Sequence, residues 1–210
     1  MKKKIIPFII TASAAGLLLG GCNLFGGNSE GTDTTTSAEA LTTQTSTTVN
    51  AGDVVEKDGV RKTVVYTNDS LGIEGDTGPI VYSIDSIQLA DVITTTDNAS
   101  RLLELEKNTD AVMVTIGFTC RNRWEIQANF YISQAEIETE DGIEATPKSF
   151  YGDYMDSNIQ PGVTKSGSNV YIIKGKKAED IKKLSFHVDA PADGDFLVVG
   201  DDVDIELELN

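Results

Sequence analysis

The sequence predicts an all-β domain, a two-sheet antiparallel sandwich behind an N-terminal targeting segment. Residues 111–122 (AVMVTIGFTCRN) alternate apolar and polar side chains, as a strand with one buried face does. Several other short segments show the same two-residue period, with turn-forming clusters between them. Many short strands separated by turns are typical of a sandwich.

The first two predicted strands precede this segment. Residues 60–66 (VRKTVVY) are rich in β-branched side chains and end in the turn-like cluster TNDSLG. Residues 80–93 also alternate, but the apolar positions move by one residue after Asp85. Such a shift predicts a β-bulge or a kink at that point.

The strand at residues 111–122 supplies the clearest core face. Its predicted inward residues are Val112, Val114, Ile116 and Phe118. We place Cys120 near the end of this strand on the polar face with Thr115 and Thr119. There it is expected to be a small packed residue, since a thiol nucleophile needs a base beside it.

The remaining elements are shorter. Residues 130–139 (FYISQAEIET) are predicted to enter a hairpin whose turn is Asp141-Gly142. Further strands are expected at residues 168–175, 183–188 and 196–209, and short helices at residues 99–107 and 176–183.

The N-terminus resembles a bacterial lipoprotein signal. MKKK is followed by an apolar run that ends in Leu19-Gly20-Gly21-Cys22, which resembles the lipobox. The resemblance implies a signal peptide at residues 1–21 and lipidation (diacylglyceryl and a further acyl chain such as palmitate) at Cys22. It also implies anchoring to the extracellular face of the cell membrane. The alternatives are a short transmembrane helix and an ordinary secretory leader with an incidental cysteine.

A linker is predicted to follow the lipidated cysteine. Residues 22–53 are rich in glycine, serine and threonine and poor in large apolar side chains. Such a segment cannot bury enough apolar surface to fold. As a flexible tether it would reach about 30 Å. The folded domain is therefore predicted to span residues 54–210.

Several stretches of this domain resemble one family. They are VMVTIGFTCRNR, DGIEATP, NIQPG, NVYIIKG and LSFHV. Together they resemble an immunoglobulin-like domain of unknown function that recurs in lipoproteins and secreted proteins of Gram-positive bacteria. The resemblance covers about residues 80–210 and implies an immunoglobulin-like β-sandwich in the cell envelope. The family has no agreed catalytic site, so no functional residue is carried over.

The chemistry-bearing residues are few. The net charge of −16 disfavours nucleic acid as a partner, because an acidic surface repels phosphates. His187 is the only histidine, and a catalytic dyad would need it to meet Cys120. We expect no metal cluster and no cofactor, although calcium at the aspartates of residues 189–204 is an open alternative.

The sequence favours a non-catalytic binding or interaction module over an enzyme. The alternatives are an accessory envelope hydrolase and a structural assembly factor. The candidate contact residues are Phe150, Tyr151 and Tyr154, in the non-alternating segment 147–158. These rings either cover an end of the sandwich or are displayed to a protein, a peptide or a cell-wall polymer. Trp124 carries the same two interpretations.

Overall fold

The computed structural model describes residues 50–209. The predicted signal peptide, the lipidated Cys22 and the linker up to residue 49 lie outside the described residues. Residues 50–53 lead into the first strand. The Gly52 amide donates to the Val64 carbonyl at 2.8 Å, and the Val64 amide donates to the Asp53 carbonyl at 2.9 Å.

Nearly all the regular secondary structure of the described chain is β-strand. In chain order they are β1 (Val54–Lys57), β2 (Val60–Asn68), β3 (Ile73–Thr77), β4 (Ile80–Thr94), β5 (Ala111–Asn122), β6 (Ala128–Asn129), β7 (Glu136–Thr139), β8 (Glu144–Ala145), β9 (Asn158–Ile159), β10 (Thr164–Lys174), β11 (Lys183–Val188), β12 (Ala192–Asp193) and β13 (Val203–Glu208). The helix α1 (Asp97–Leu103) connects β4 to β5. No helix within residues 50–209 is long and apolar enough to cross a membrane.

The strands form one large sheet and two smaller ones. The large sheet has the order β1-β2-β4-β5-β10, with β3 also paired to β4. The second sheet has the order β13-β11-β7-β8, and a three-stranded ribbon has the order β12-β6-β9. All the pairs of named strands are antiparallel. The all-β prediction is confirmed.

The main core lies between the large sheet and the second sheet. The four residues predicted to face it from β5 are at most 1% exposed, and they share one cluster with Phe186 and Ile205 of the second sheet. Two sheets therefore pack face to face as a sandwich. Cys120 also belongs to this cluster. Its predicted placement on the polar face was wrong. Cys120 is two residues after Phe118, and side chains two residues apart in a strand point to the same face.

The β-bulge predicted at Asp85 is confirmed. The pairing of β4 with β5 shifts its register between Ile84 and Ser86, so Asp85 is the extra residue. Because of the bulge, Ile84 and Ile87 both reach the main core although they are three residues apart.

A buried asparagine closes the end of β5. Asn122 donates from Nδ2 to the carbonyls of Ile126 at 2.8 Å and Ile159 at 2.9 Å, and its Oδ1 accepts from the Trp124 amide at 2.9 Å. One side chain thus satisfies three backbone groups, two in the connection after β5 and one in β9. This bonding gives a physical reason for the asparagine in the RNRW stretch.

The predicted strand at residues 130–139 was wrong in its first half. Ile132–Gln134 form a single turn of 3-10 helix, and only β7 is extended. Side chains from β10 explain the difference. Asn169 donates to the Ile132 carbonyl at 2.8 Å, and Tyr171 donates to the Ala135 carbonyl at 3.0 Å. These bonds replace the pairing that a strand would have required.

Three other boundaries differ from the prediction. Residues 176–183 form only a 3-10 turn at Ala178–Asp180, where the Ala178 amide donates to Asp91 at 2.9 Å. The helix expected at residues 99–107 is α1, which begins earlier, after its N-cap Thr96. The strand expected at residues 196–209 is only β13, since the preceding residues form a loop.

The predicted Asp141-Gly142 turn is confirmed, and the NIQPG stretch also forms a turn. Gly142 follows Asp141 at φ 84° between β7 and β8, and its amide donates to the Thr139 carbonyl at 2.9 Å. Gly162 lies at φ 70° in the turn closed by the Val163 amide and the Gln160 carbonyl. Glycine suits both positions because it adopts a positive φ without steric cost.

Candidate functional site

The outer face of the large sheet carries a second apolar cluster, separate from the main core. It includes Ala90, Val92, Met113, Val170 and Ile172 from three strands. Helix α1 covers one end of it. Ala99 and Leu103 are four residues apart, so they share one face of the helix, and both are fully buried.

The cover of this cluster is incomplete and leaves an open groove of about 620 Å³. Its floor is formed by Val60, Lys62, Met113, Thr115 and Val170. Its walls come from the β1–β2 hairpin, from α1 and from Phe150 and Tyr151. The groove is of the size that small ligands occupy, and its lining is divided evenly between apolar and polar side chains.

The β1–β2 hairpin forms one wall because of a tight turn. Asp58 and Gly59 have φ values of 52° and 77°, which a two-residue hairpin of this type requires. The turn places Val55, Lys57 and Asp58 along the groove. The Asp58-Gly59 pair is the sequence signal for this wall, and it was not among the predicted turns.

The opposite wall is the segment that contains the candidate aromatics. The Lys148 amide donates to the Val170 carbonyl at 2.7 Å, and the Ser168 amide donates to the Asp153 carbonyl at 2.9 Å. The segment therefore runs along the free edge of β10. Gly152 permits this approach, because a side chain there would collide with the Ser168 carbonyl.

The structure divides the aromatic residues of this segment between the two predicted roles. Phe150 and Tyr151 both line the groove. Tyr151 is half-buried and packs against the outer cluster, whereas Phe150 is 80% exposed. Tyr154 is 65% exposed and lies outside the groove, and Met155 is buried in the main core. The covering interpretation therefore fits Tyr151 and Met155, and the display interpretation fits Phe150 and Tyr154.

Lys62 gives the groove its electrostatic character. It is half-buried, and its Nζ donates to Gln88 Oε1 at 3.0 Å. No ion pair formed within residues 50–209 includes it. Burial lowers the pKa of this ammonium. Tyr151 also lines the groove, and burial and the Asp58 carboxylate raise the pKa of its hydroxyl.

A polar strip crosses the same face of the sheet. Ser83 donates to Asp85 at 2.6 Å and Thr119 donates to it at 2.7 Å, while the hydroxyl oxygens of Thr119 and Ser166 lie 2.9 Å apart. Because the bulge carries Asp85, it also orients this carboxylate toward its neighbours. These side chains satisfy one another's hydrogen-bonding capacity, which explains how the sheet accommodates the Asp85 carboxylate.

The structure does not bring Cys120 and His187 together. Cys120 faces the main core, where burial and the Asp85 charge raise its thiol pKa to about 12. His187 lies on β11, outside the main core, and its Nδ1 is 2.7 Å from Asp204 Oδ1. This hydrogen bond raises the pKa of His187.

Two of the aspartates at residues 189–204 cap backbone groups. Asp202 accepts from the Ala190 amide at 2.9 Å, and Asp193 accepts from the amides of Asp195 at 2.9 Å and Leu197 at 3.0 Å. No group of three His, Cys, Asp or Glu side chains within residues 50–209 is arranged to hold a metal.

An exposed apolar tip lies at the loop between β12 and β13. Phe196, Leu197 and Val198 are 72%, 64% and 70% exposed. Phe196 has a φ of 62°, a conformation that glycine adopts far more readily than a bulky side chain. The strand predicted at residues 196–209 includes these residues, so the tip was not predicted. Trp124 is half-buried in another connecting segment, between β5 and β6.

Replacing Phe196 with glycine is expected to raise the free energy of unfolding by about 0.5–1 kcal/mol. At a positive φ the Cβ atom lies too close to the following carbonyl oxygen, and glycine has no Cβ atom. Little burial is lost with a ring that is 72% exposed. Urea unfolding measures the change. The control is Leu197→Gly, which should lower stability since Leu197 does not have a positive φ. A similar loss in both variants would contradict the strain at Phe196.

Comparisons with known proteins support the fold alone. No protein-family model matches the chain. No curated protein matches it either. The chain is similar to the structure of a functionally unknown protein from Listeria monocytogenes, with 12% identity over 71% of this chain and 88% of the other and a TM-score of 0.55. This similarity shows a shared fold.

Two further solved structures are similar at lower scores. One is the yjhA protein from Bacillus subtilis, with 12% identity over 68% of this chain and 100% of the other and a TM-score of 0.40. The other is an uncharacterized beta-sandwich protein from Clostridium difficile, with 15% identity over 76% of this chain and 93% of the other and a TM-score of 0.32.

Proposed function

We propose that this protein is a lipid-anchored, non-catalytic binding module of the cell envelope, and that the groove on the outer face of its large sheet holds the ligand. Leu19-Gly20-Gly21-Cys22 and the linker behind it support the anchor. In this account Cys22 carries the lipid, the linker spans the distance from the membrane, and the β-sandwich faces the outside of a Gram-positive cell.

The exposed ring of Phe150 beside the groove is the observation that carries the binding role. Large aromatic side chains are ordinarily buried when the fold can use them, yet this ring is 80% exposed. It stands beside an apolar floor that α1 leaves uncovered. A rigid aromatic residue next to an open apolar groove is a good anchor for a ligand, since binding would bury both surfaces together.

Photo-crosslinking in intact cells tests the groove. A benzophenone side chain replaces Phe150 in one variant and Tyr154 in another. The two positions lie in one segment and are both well exposed, but only Phe150 lines the groove. We expect an adduct from position 150 and little from position 154. Equal adducts, or an adduct from position 154 alone, would place binding outside the groove.

A further inference from the structure

Lys62 is the least expected residue on the outer face of the large sheet. It lies between β-branched and apolar neighbours, in register with Val55 on one side and Val92 on the other. A methionine would fill the same space without removing a charge from water. Half-burying an ammonium whose hydrogen-bond partner is a neutral amide costs free energy that the fold does not recover there.

In contrast to Lys62, other partly buried lysines of this chain form ion pairs with carboxylates. Lys148 pairs with Glu104 at 2.7 Å and Lys176 pairs with Asp141 at 2.6 Å, both with largely covered side chains. The sequence has 33 acidic residues against 17 basic ones. Even so, no carboxylate of the described residues pairs with Lys62, and its ammonium remains available to a group that enters the groove.

The charge of the groove limits what that group can be. Its charged lining residues are two lysines, Lys57 and Lys62, against Asp58. A net charge of about one positive unit suits a ligand with one anionic group. A polyanion would also meet the acidic surface of a chain with net charge −16.

From these observations we infer that the groove binds a monoanionic amphiphile, whose acidic group pairs with Lys62 and whose apolar or aromatic body lies on Met113 beside Phe150. This inference rests on the proposed function and names the chemical class of its ligand. Carboxylates and sulfonates share the required chemistry. The ammonium selects the charge, and the apolar floor supplies most of the contact area.

Two dyes of nearly the same shape separate charge recognition from apolar binding. Anilinonaphthalene sulfonate carries one negative charge, and phenylnaphthylamine carries none. The full chain in lipid nanodiscs is titrated with each dye. The signal of the same nanodiscs without the protein is subtracted, so that the remaining dye fluorescence reports dye bound to the protein rather than to lipid. We expect the anionic dye to bind about tenfold more tightly, as a charged hydrogen bond implies.

The variants are Lys62→Met and its matched control Lys182→Met, which removes the same charge from an exposed position outside the groove. Lys62→Met should abolish the preference for the anionic dye, and Lys182→Met should change it by less than about threefold. A melting curve of each variant verifies that it is folded.

The outcomes separate the inference from the proposal beneath it. If both dyes bind with equal affinity to the wild type, or if Lys62→Met keeps the preference, charge recognition by Lys62 is overturned while the groove remains a binding site. If neither dye binds to the protein, the groove fails as a binding site, and the inference fails with it.

Discussion

Replacing Phe118 with alanine is expected to lower the free energy of unfolding by about 3–5 kcal/mol. The ring is 1% exposed and lies in the main core, in the same cluster as residues from both facing sheets. Removing it leaves a cavity between two rigid sheets that cannot close upon it. Urea unfolding followed by far-UV circular dichroism measures the loss.

The chain offers a matched control in Phe150→Ala. It removes the same ring from a position that is 80% exposed, so the free energy of unfolding should change by less than about 0.5 kcal/mol. Similar losses in the two variants would contradict the assignment of Phe118 to the core and of Phe150 to an exposed surface.

Replacing Cys22 with serine is expected to block lipid attachment and to shift the protein away from the membrane fraction. In the proposed anchor the Cys22 thiol receives the diacylglyceryl group, and two or more acyl chains are needed for stable anchoring. We expect the wild-type protein in the membrane fraction, with fatty acids on its N-terminal peptide by mass spectrometry. The variant should lack them and leave the membrane fraction.

Cys120→Ala is the control, because it removes the other cysteine of the chain. Cys120 is buried in the main core, so this variant should keep its lipid and its membrane retention. An unlipidated wild-type protein in the culture fluid would contradict the anchor.

The alternating strands were predictable because burial of one face imposes a two-residue period. This period located β5, and its interruption at Asp85 located the bulge. The error at Cys120 was one of parity, since that residue shares the face of Phe118. The strand assigned to Phe196–Val198 failed for a different reason. Apolar β-formers predict a strand, but here they form an exposed tip held by Asp193.

The groove could be predicted only in part. The segment at residues 147–158 stood out because its aromatics lack alternation, and Phe150 and Tyr151 do line the groove. The rest of the site comes from strands and a helix that are far apart in sequence, such as Lys62, Met113 and Leu102. The order of strands in a sheet depends on the topology of the whole chain, and the residue pattern of a single segment does not encode that order. Its sequence context predicts Lys62 only as one residue of a strand.

The most direct test of the central proposal is an amide chemical-shift map of the isotope-labelled full chain during titration with anilinonaphthalene sulfonate. If the groove binds the dye, we expect the largest shifts at Lys62, Met113 and Tyr151, which line the groove from three separate parts of the chain. Shifts concentrated at the apolar tip, Phe196–Val198, with the groove unchanged, would contradict it.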